Sequence, residues 1–232
     1  MRPSKALVPS RPLIVATGNP GKLREFGALL SDLPFELHGL GELGIASPEE
    51  SGVSFLENAL LKARHAAAAA LAAGFGGASA GVAAIADDSG LEVDALGGAP
   101  GIFSARYAGV GADDAANNAK LLRALAGTPL ELRCARYRCA LVMVFAPSDA
   151  EPLIAEGVWE GSILESPRGS GGFGYDPYFW LPGLGVTAAQ LDPSDKNRLS
   201  HRGIAMRALR DQLLAREGLA SERSARDELV QP

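Results

Sequence analysis

The chain has 232 residues, of which 47% are hydrophobic and 21% are charged, and its formal net charge is −5. These values are close to the average for globular proteins, so they exclude a disordered or fibrous chain and fit one large domain or two modest lobes. The negative charge and the lack of a dense Lys and Arg cluster argue against a nucleic-acid partner, because duplex binding needs a basic surface.

The first predicted elements are a tail, a strand and a helix. Residues 1–11 form a polar, flexible tail that lacks the apolar segment of a signal peptide. A strand is predicted over Leu13–Thr17 and a helix over Lys22–Leu30. The turn between them is an anion-binding arrangement of glycines, a helix start and a lysine: Thr17, Gly18, Asn19, Pro20, Gly21 and Lys22. It is not a Walker loop, and the alternative is a tight turn without a ligand.

The uncharged segment from Ala66 to Ala86 is long enough to raise the question of a membrane helix. Its Ala and Gly content instead predicts a helix over about 56–73, a Gly-rich loop and a strand, and no membrane partner. Ser54 and Glu57 have the spacing of a capping box, so Glu57 is interpreted as structural.

Two adjacent carboxylates, Asp87 and Asp88, end this uncharged segment. We expect a buried strand at Val82–Ala86 and a turn at Ser89-Gly90, which places both acids at the carboxyl end of a strand, where α/β sheets bind ligands. Neighbouring charges there need a cation or a proton to offset their repulsion. The alternative is that one acid caps the turn and the other is solvated.

Glu50 and Lys62 are a second candidate pair of charged residues. Taken alone, each reads as a solvated surface residue. The functional alternative makes Glu50 a further oxygen ligand, beside Asp87 and Asp88, for a hard cation. Mg²⁺ suits such a site because it binds one or two carboxylates together with phosphate oxygens and water.

The later part of the chain predicts a helix over Asp113–Leu125, paired strands at Arg133–Ala146 and Ile154–Gly161, and a final helix over Ser200–Ala215. Residues 217–232 form a charged, flexible tail. Helices alternate with strands early and strands adjoin later, so the expected fold is α/β, with a long central mixed β-sheet and flanking helices. Cys134 and Cys139 are five positions apart in a strand-like stretch and point to opposite faces, so we expect neither a disulfide nor a shared metal, and two such thiols fit a reducing cytoplasm.

An aromatic, Gly-rich segment and a cationic helix start are the candidates for recognition of a ligand's flat ring. Phe173 or Tyr175 can stack on a base, and Asp176 can accept from ring N–H groups; the alternative is a turn whose aromatics belong to the core. His201 and Arg202 open the last helix, and further donors lie nearby, so a 6-oxo purine would be accepted and a 6-amino group rejected. An Arg202–carboxylate pair is the structural alternative.

In this order the motifs resemble the Ham1 and inosine triphosphatase family of noncanonical purine nucleoside triphosphate pyrophosphatases. The resemblance spans about Leu13 to Leu214, and two departures from the pattern are a longer Ala/Gly segment before Asp87 and extended tails. The matching segments are Thr17–Lys22, Glu50–Gly52, Glu57–Ala59 with Lys62-Ala63, Ala86–Leu91, Gly98–Gly101, Ser104–Tyr107, Gly171–Pro177, and Lys196 with Ser200–Arg202.

The resemblance implies a single two-lobed domain over residues 12–216, with the lobes around a nucleotide cleft, and a homodimer. It implies Mg²⁺-dependent hydrolysis of ITP, dITP and XTP to the monophosphate and pyrophosphate, which cleanses the nucleotide pool. Glu50 and Asp88 would bind metal, and Asp88 would accept the proton. The residues implied for the triphosphate are Thr17 to Lys22, Lys62 and Lys196, and those for the nucleotide are Ser89, Phe173, Gly174, Tyr175, Asp176, His201 and Arg202.

Two other functions use the same residues. A non-catalytic purine nucleotide sensor needs the phosphate and base contacts but not three acids near the phosphates. A related pyrophosphatase for other modified nucleotides shares the phosphate end and differs at the base end.

Overall fold

The computed structural model describes residues 11–18, 20–31, 33–75 and 81–216. The predicted tails lie outside the described residues except for Arg11, which belongs to the first strand and not to a tail; Asn19 and residues 76–80 of the predicted Gly-rich loop also lie outside them.

The described helices and strands form a mixed α/β fold, as the sequence predicts. Seven strands form one sheet in the order β2-β1-β3-β4-β5-β6-β7. β1 is parallel to β2 and β3, whereas β6 is antiparallel to β5 and β7. The elements are β1 Arg11–Val15, α1 Pro20–Leu29, β2 Phe35–Gly39, α2 Phe55–Ala72, β3 Ala83–Val93, α3 Asp114–Ala124, β4 Cys134–Val144, β5 Leu153–Ile163, β6 Phe179–Leu181, β7 Val186–Thr187, α4 Pro193–Leu199 and α5 His201–Arg216.

The chain divides into two compact units that interleave along the sequence. The first unit is Met1–Ser51, Asn58–Asp87 and Val142–Ile154, and the second is Gly52–Glu57, Asp88–Leu141 and Ala155–Pro232. The division falls between the adjacent acids Asp87 and Asp88, so each unit carries one of them.

The first unit is built on β1 and its two parallel neighbours. Val15, the last residue of β1, is in register with Gly39 of β2 and Ile85 of β3. α2 turns an alanine-rich face inward, because alanines at helical spacing are fully buried there: Ala59, Ala63, Ala66, Ala67 and Ala70. No helix in the described part of the chain is both long and apolar enough to cross a membrane.

The second unit has an aromatic-rich core. Tyr137 of β4, Trp159 of β5 and Phe179 of β6 are all buried in it, with ring centroids of Trp159 and Phe179 5.4 Å apart. The other buried members are Leu91, Val93, Leu121, Leu125, Ala135, Ile163, Tyr175, Leu181 and Ala188.

Three predicted helix starts are confirmed by their capping bonds. The backbone N–H of Glu57 donates to the Ser54 hydroxyl at 3.2 Å, although the Glu57 carboxylate accepts from Val53 N–H rather than closing a full capping box. Asp113 accepts from the N–H of Ala116 at 2.8 Å. Ser200 accepts from the N–H of Gly203 at 3.2 Å and so caps α5.

The predicted turn at Ser89-Gly90 is wrong. β3 runs without interruption from Ala83 to Val93 and contains both acids, Ser89 and Gly90. Gly90 allows close packing and does not form a turn, because a Cβ at this position would lie 2.4 Å from the Gly101 carbonyl oxygen and 2.5 Å from the Ser104 hydroxyl. Sequence reasoning took a packing glycine for a turn glycine.

Candidate functional site

Lys22 and Asp87 form an ion pair in the first unit. The Lys22 ammonium lies 2.8 Å and 3.0 Å from the two carboxylate oxygens of Asp87, whose side chain is 1% exposed. Asp87 lies two positions beyond Ile85, the partner of the last residue of β1, so it extends past the carboxyl end of that strand. Lys22 lies in the first turn of α1, where the helix adds partial positive charge. The predicted anion-binding turn therefore presents a cation beside a buried carboxylate.

Lys62 and Glu50 form the second ion pair of the first unit. The ammonium lies 2.8 Å from the Glu50 carboxylate, twelve positions away in the chain. Lys62 is 8% exposed, because it lies on the buried alanine face of α2. The interpretation of Lys62 as a solvated surface residue is therefore wrong. A buried ammonium needs a partner to offset its desolvation, and Glu50 supplies one.

These two pairs give the first unit a matched set of charges. Two ammonium groups suit phosphate oxygens, and carboxylate oxygens suit a hard divalent cation. No three His, Cys, Asp or Glu residues among those described gather into a group that could hold a metal ion. A hard cation such as Mg²⁺ accepts carboxylate oxygens together with phosphate oxygens and water, so the residue types of Glu50, in the first unit, and Asp88, in the second, are each suited to it.

Asp88 begins the second segment of the second unit, directly after Asp87 of the first unit, and is 7% exposed. A carboxylate in such a position can orient a water molecule and accept a proton from it. Ser89 follows it in β3, and the Ser89 hydroxyl accepts a hydrogen bond from the Arg202 guanidinium at 3.3 Å.

Asp176 organises the aromatic loop of the second unit. One carboxylate oxygen accepts from the backbone N–H of Phe173 at 2.9 Å and from the Lys196 ammonium, and the other accepts from the Tyr137 hydroxyl at 3.3 Å. Asp176 is 3% exposed. The carboxylate that was predicted to meet a ring N–H is thus engaged by three groups of the protein itself.

Phe173 is the exposed aromatic side chain of this loop. It is 48% exposed, and it lies against two cations, with the Lys196 ammonium 4.6 Å and the Arg202 guanidinium carbon 5.9 Å from its ring centroid. Both distances are within the range of cation–π attraction. The geometry thus brings together three of the residues predicted to contact a nucleotide.

Tyr175 follows the core alternative. It is 4% exposed, and its hydroxyl donates to the Ser104 carbonyl at 2.7 Å. Burial raises its pKa, so the phenol stays protonated. Gly174 is held by Asp114, whose carboxylate accepts from the Gly174 N–H at 2.6 Å. The role of Tyr175 and Gly174 in binding a nucleotide stays a prediction.

His201 and Arg202 are buried at the start of α5, with 6% and 5% exposure. The helix reaches this position because β5 carries a glycine beneath it. A Cβ on Gly157 would lie 2.0 Å from the His201 carbonyl oxygen and 2.8 Å from the Ala205 nitrogen. The first turn of α5 therefore rests directly on the backbone of β5.

Sequence reasoning missed Tyr137. The residue lies in β4, 8% exposed, with its ring parallel to the His201 imidazole at a centroid distance of 4.8 Å and an angle of 12°. Its only signal in the sequence is an aromatic residue on the inward side of a strand, between Arg136 and Arg138. That signal is shared by ordinary core residues.

Comparison with known proteins identifies the same family that the sequence motifs resemble. A model of the Ham1 family matches residues 13–212. A dITP/XTP pyrophosphatase from Xanthomonas campestris is 52% identical over 203 residues, which cover 88% of this chain and 97% of the relative. One from Methylococcus capsulatus is 54% identical over 208 residues, covering 90% and 98%.

A solved structure of a Ham1 protein from Coxiella burnetii is similar in fold. Its TM-score with this chain is 0.80 at 42% sequence identity, and the match covers 88% of this chain and 99% of the other.

Proposed function

Because the chain belongs to the Ham1 family, we propose that it is a nucleoside triphosphate pyrophosphatase that hydrolyses dITP, XTP and ITP to the monophosphate and pyrophosphate. Relatives named dITP/XTP pyrophosphatase support this proposal, because two of them are 52% and 54% identical to this chain over 97% and 98% of their own length.

The observation that carries the proposal is a pair of lysine–carboxylate contacts in the first unit, each with one buried partner: Lys22 with the buried Asp87, and the buried Lys62 with Glu50. A buried charged group is costly, and such pairs are weak evidence for stability, so a functional reason for keeping both is favoured. A triphosphate supplies anionic oxygens that can replace the carboxylates as partners of Lys22 and Lys62. These lysines would stabilise the charge that develops on the departing pyrophosphate. Lys196, which the resemblance implies for the triphosphate, contacts Asp176 and the Phe173 ring and is assigned here to the base.

Asp88 is the proposed proton acceptor. Its carboxylate orients a water molecule and takes a proton from it as the water oxygen attacks the α-phosphorus. The bond from the α-phosphorus to the oxygen that bridges to the β-phosphorus breaks, and pyrophosphate leaves with that oxygen. Most of the rate enhancement then comes from positioning and charge stabilisation, as is usual for phosphoryl transfer.

Glu50 and Asp88 are the proposed carboxylate ligands of a divalent cation, Mg²⁺ in our proposal. When bound, the cation neutralises phosphate charge and favours the developing negative charge. Glu50 is held ready by Lys62 at 2.8 Å, which keeps its oxygens ordered.

The base would be read by the second unit. Phe173 offers its exposed ring for stacking, and Lys196, His201 and Arg202 offer donors. A 6-oxo purine accepts from such donors, whereas a 6-amino group faces them with donors of its own. This supports inosine and xanthine nucleotides over adenine nucleotides.

A nucleotide panel tests the proposal. The protein is incubated with ITP, dITP, XTP, ATP and UTP, with and without Mg²⁺, and monophosphate and pyrophosphate are measured separately. We expect both products in equal amounts from the first three nucleotides, and only with Mg²⁺. Tight binding without turnover would indicate a sensor, and preferential turnover of UTP would indicate a pyrophosphatase of different base specificity.

Two further proposals concern assembly and compartment. We propose a homodimer, which the family resemblance implies, and Val158, an apolar residue of β5 that is 38% exposed, is a candidate interface residue. Cys134 and Cys139 form no disulfide with each other, which suits a reducing cytoplasm. Light scattering of the wild type and of Val158→Asp tests the first proposal.

A further inference from the structure

Tyr137 contacts both groups of residues that are proposed to read the base. Its hydroxyl donates to Asp176 at 3.3 Å, on the side of the Phe173 loop and Lys196. Its ring lies parallel to the imidazole of His201 on α5, with centroids 4.8 Å apart. A second buried ring supports it, because Phe179 lies 4.6 Å from Tyr137, centroid to centroid.

The Tyr137 hydroxyl helps to fix the orientation of the Asp176 carboxylate. The Asp176 carboxylate receives the Phe173 N–H and the Lys196 ammonium on one oxygen, and the Tyr137 hydroxyl reaches the other. Three donors on two oxygens fix the rotation of the carboxylate about its χ2 bond, a torsion that is otherwise broad. Loss of the hydroxyl frees that rotation, so the direction of the Lys196 ammonium is no longer fixed.

We propose that Tyr137 is a positioning residue for purine selectivity, which holds Lys196 through Asp176 and His201 through ring stacking so that their donors meet a 6-oxo group. The inference rests on the proposed function and deepens its base recognition. Tyr137 touches no substrate in this role; it acts through the residues that do. Burial keeps its phenol protonated, because it raises the pKa well above the usual value, and the hydroxyl therefore remains a donor.

Tyr137→Phe tests the inference because it removes the hydroxyl and retains the ring. We expect the ratio of kcat/KM for ITP to that for ATP to fall about three- to tenfold, the range for losing one ordinary hydrogen bond, because the 3.3 Å contact is long and acts on the base only through Asp176 and Lys196. The loss should come mainly from a higher KM for ITP, with kcat little changed, because the reacting phosphates are not involved. Tyr178→Phe, a partly buried tyrosine of the same unit, is the matched control and should leave the ratio unchanged.

A double-mutant cycle separates positioning from general packing. In an Asp176→Asn background the hydroxyl has lost its charged acceptor, so adding Tyr137→Phe should change the ratio by less than about twofold. Equal effects of Tyr137→Phe in both backgrounds, or an unchanged ratio in the single variant, would overturn the inference and leave the proposed function intact. A wild-type protein that releases no pyrophosphate from ITP would overturn both.

Discussion

Both carboxylate oxygens of Asp87 lie within hydrogen-bonding distance of the Lys22 ammonium, although 65 positions separate the residues. Lys22→Met leaves a buried carboxylate without this partner, and we expect the free energy of unfolding to fall by about 1–3 kcal/mol, less than for a fully buried pair because Lys22 is partly solvated. Urea denaturation measures the change. The double variant with Asp87→Asn should recover part of the loss; a double variant as unstable as the sum of the singles would contradict the pairing.

Asp88→Asn tests the proton acceptor. The amide keeps the size of the side chain and removes its basicity, so kcat for dITP should fall by about 10²- to 10⁴-fold, the usual contribution of a general base. Nucleotide affinity, measured by equilibrium titration, should change little. Near-normal turnover by this variant would refute the role of Asp88.

Glu50→Gln tests the carboxylate proposed to hold the cation. We expect the Mg²⁺ concentration for half-maximal activity to rise by about tenfold or more, as it does when groups around a bound metal are altered. Glu49→Gln is the matched control, because Glu49 is an exposed neighbour in the same loop. An identical Mg²⁺ dependence in both variants would remove Glu50 from the site.

Gly157→Ala tests the close contact between the first turn of α5 and the backbone of β5. The added methyl meets the His201 carbonyl oxygen at 2.0 Å, so the first turn of the helix must move away from β5. We expect a loss of about 1–3 kcal/mol in stability, typical of overpacking, together with a lower preference for ITP over ATP. Gly183→Ala, where a Cβ has nothing within 4 Å, serves as the control and should match the wild type in both measurements.

The buried phenols of Tyr137 and Tyr175 predict a loss of stability in base. Burial raises the pKa of both. Below the ordinary tyrosine pKa of about 10 both states keep these protons; above it the unfolded chain ionises while the folded chain does not, so the free energy of unfolding falls as pH rises. Urea denaturation between pH 8 and 11 (a span of about three units around that pKa) should show a shallower fall for Tyr137→Phe than for the wild type. If the free energy of unfolding of Tyr137→Phe fell with pH as steeply as that of the wild type, the raised pKa of Tyr137 would be contradicted.

Local patterns were readable in the sequence, and long-range pairings were not. Ser54, Asp113 and Ser200 were predictable as caps or helix starts because a capping bond spans only a few residues. The alternation of helical and strand patterns along the chain also predicted the main helices and strands. The Lys62–Glu50 and Lys22–Asp87 pairs depend on how distant segments pack, and a single lysine on a helix carries no sign of that.

Glycines and aromatics were the residues whose roles were hardest to assign. Gly90 resembled a turn residue because both turns and close packing require the absence of a Cβ. Tyr175 and Phe173 are two positions apart in one motif, yet one is buried and the other is half exposed. Only the tertiary structure distinguishes an aromatic residue that fills a core from one that offers its ring to a ligand.

The uninterrupted course of β3 makes the chain unusually sensitive to its length at this point. Side chains alternate along a strand, so Asp87 and Asp88 leave the backbone on opposite sides. Removing one residue between Ala83 and Ala86 would move Asp88 into the position of Asp87 and Ser89 into the position of Asp88, so that the wrong carboxylate met Lys22. Such a deletion would keep every charged group of the chain and still disable it, whereas many conservative replacements in the same strand would be tolerated.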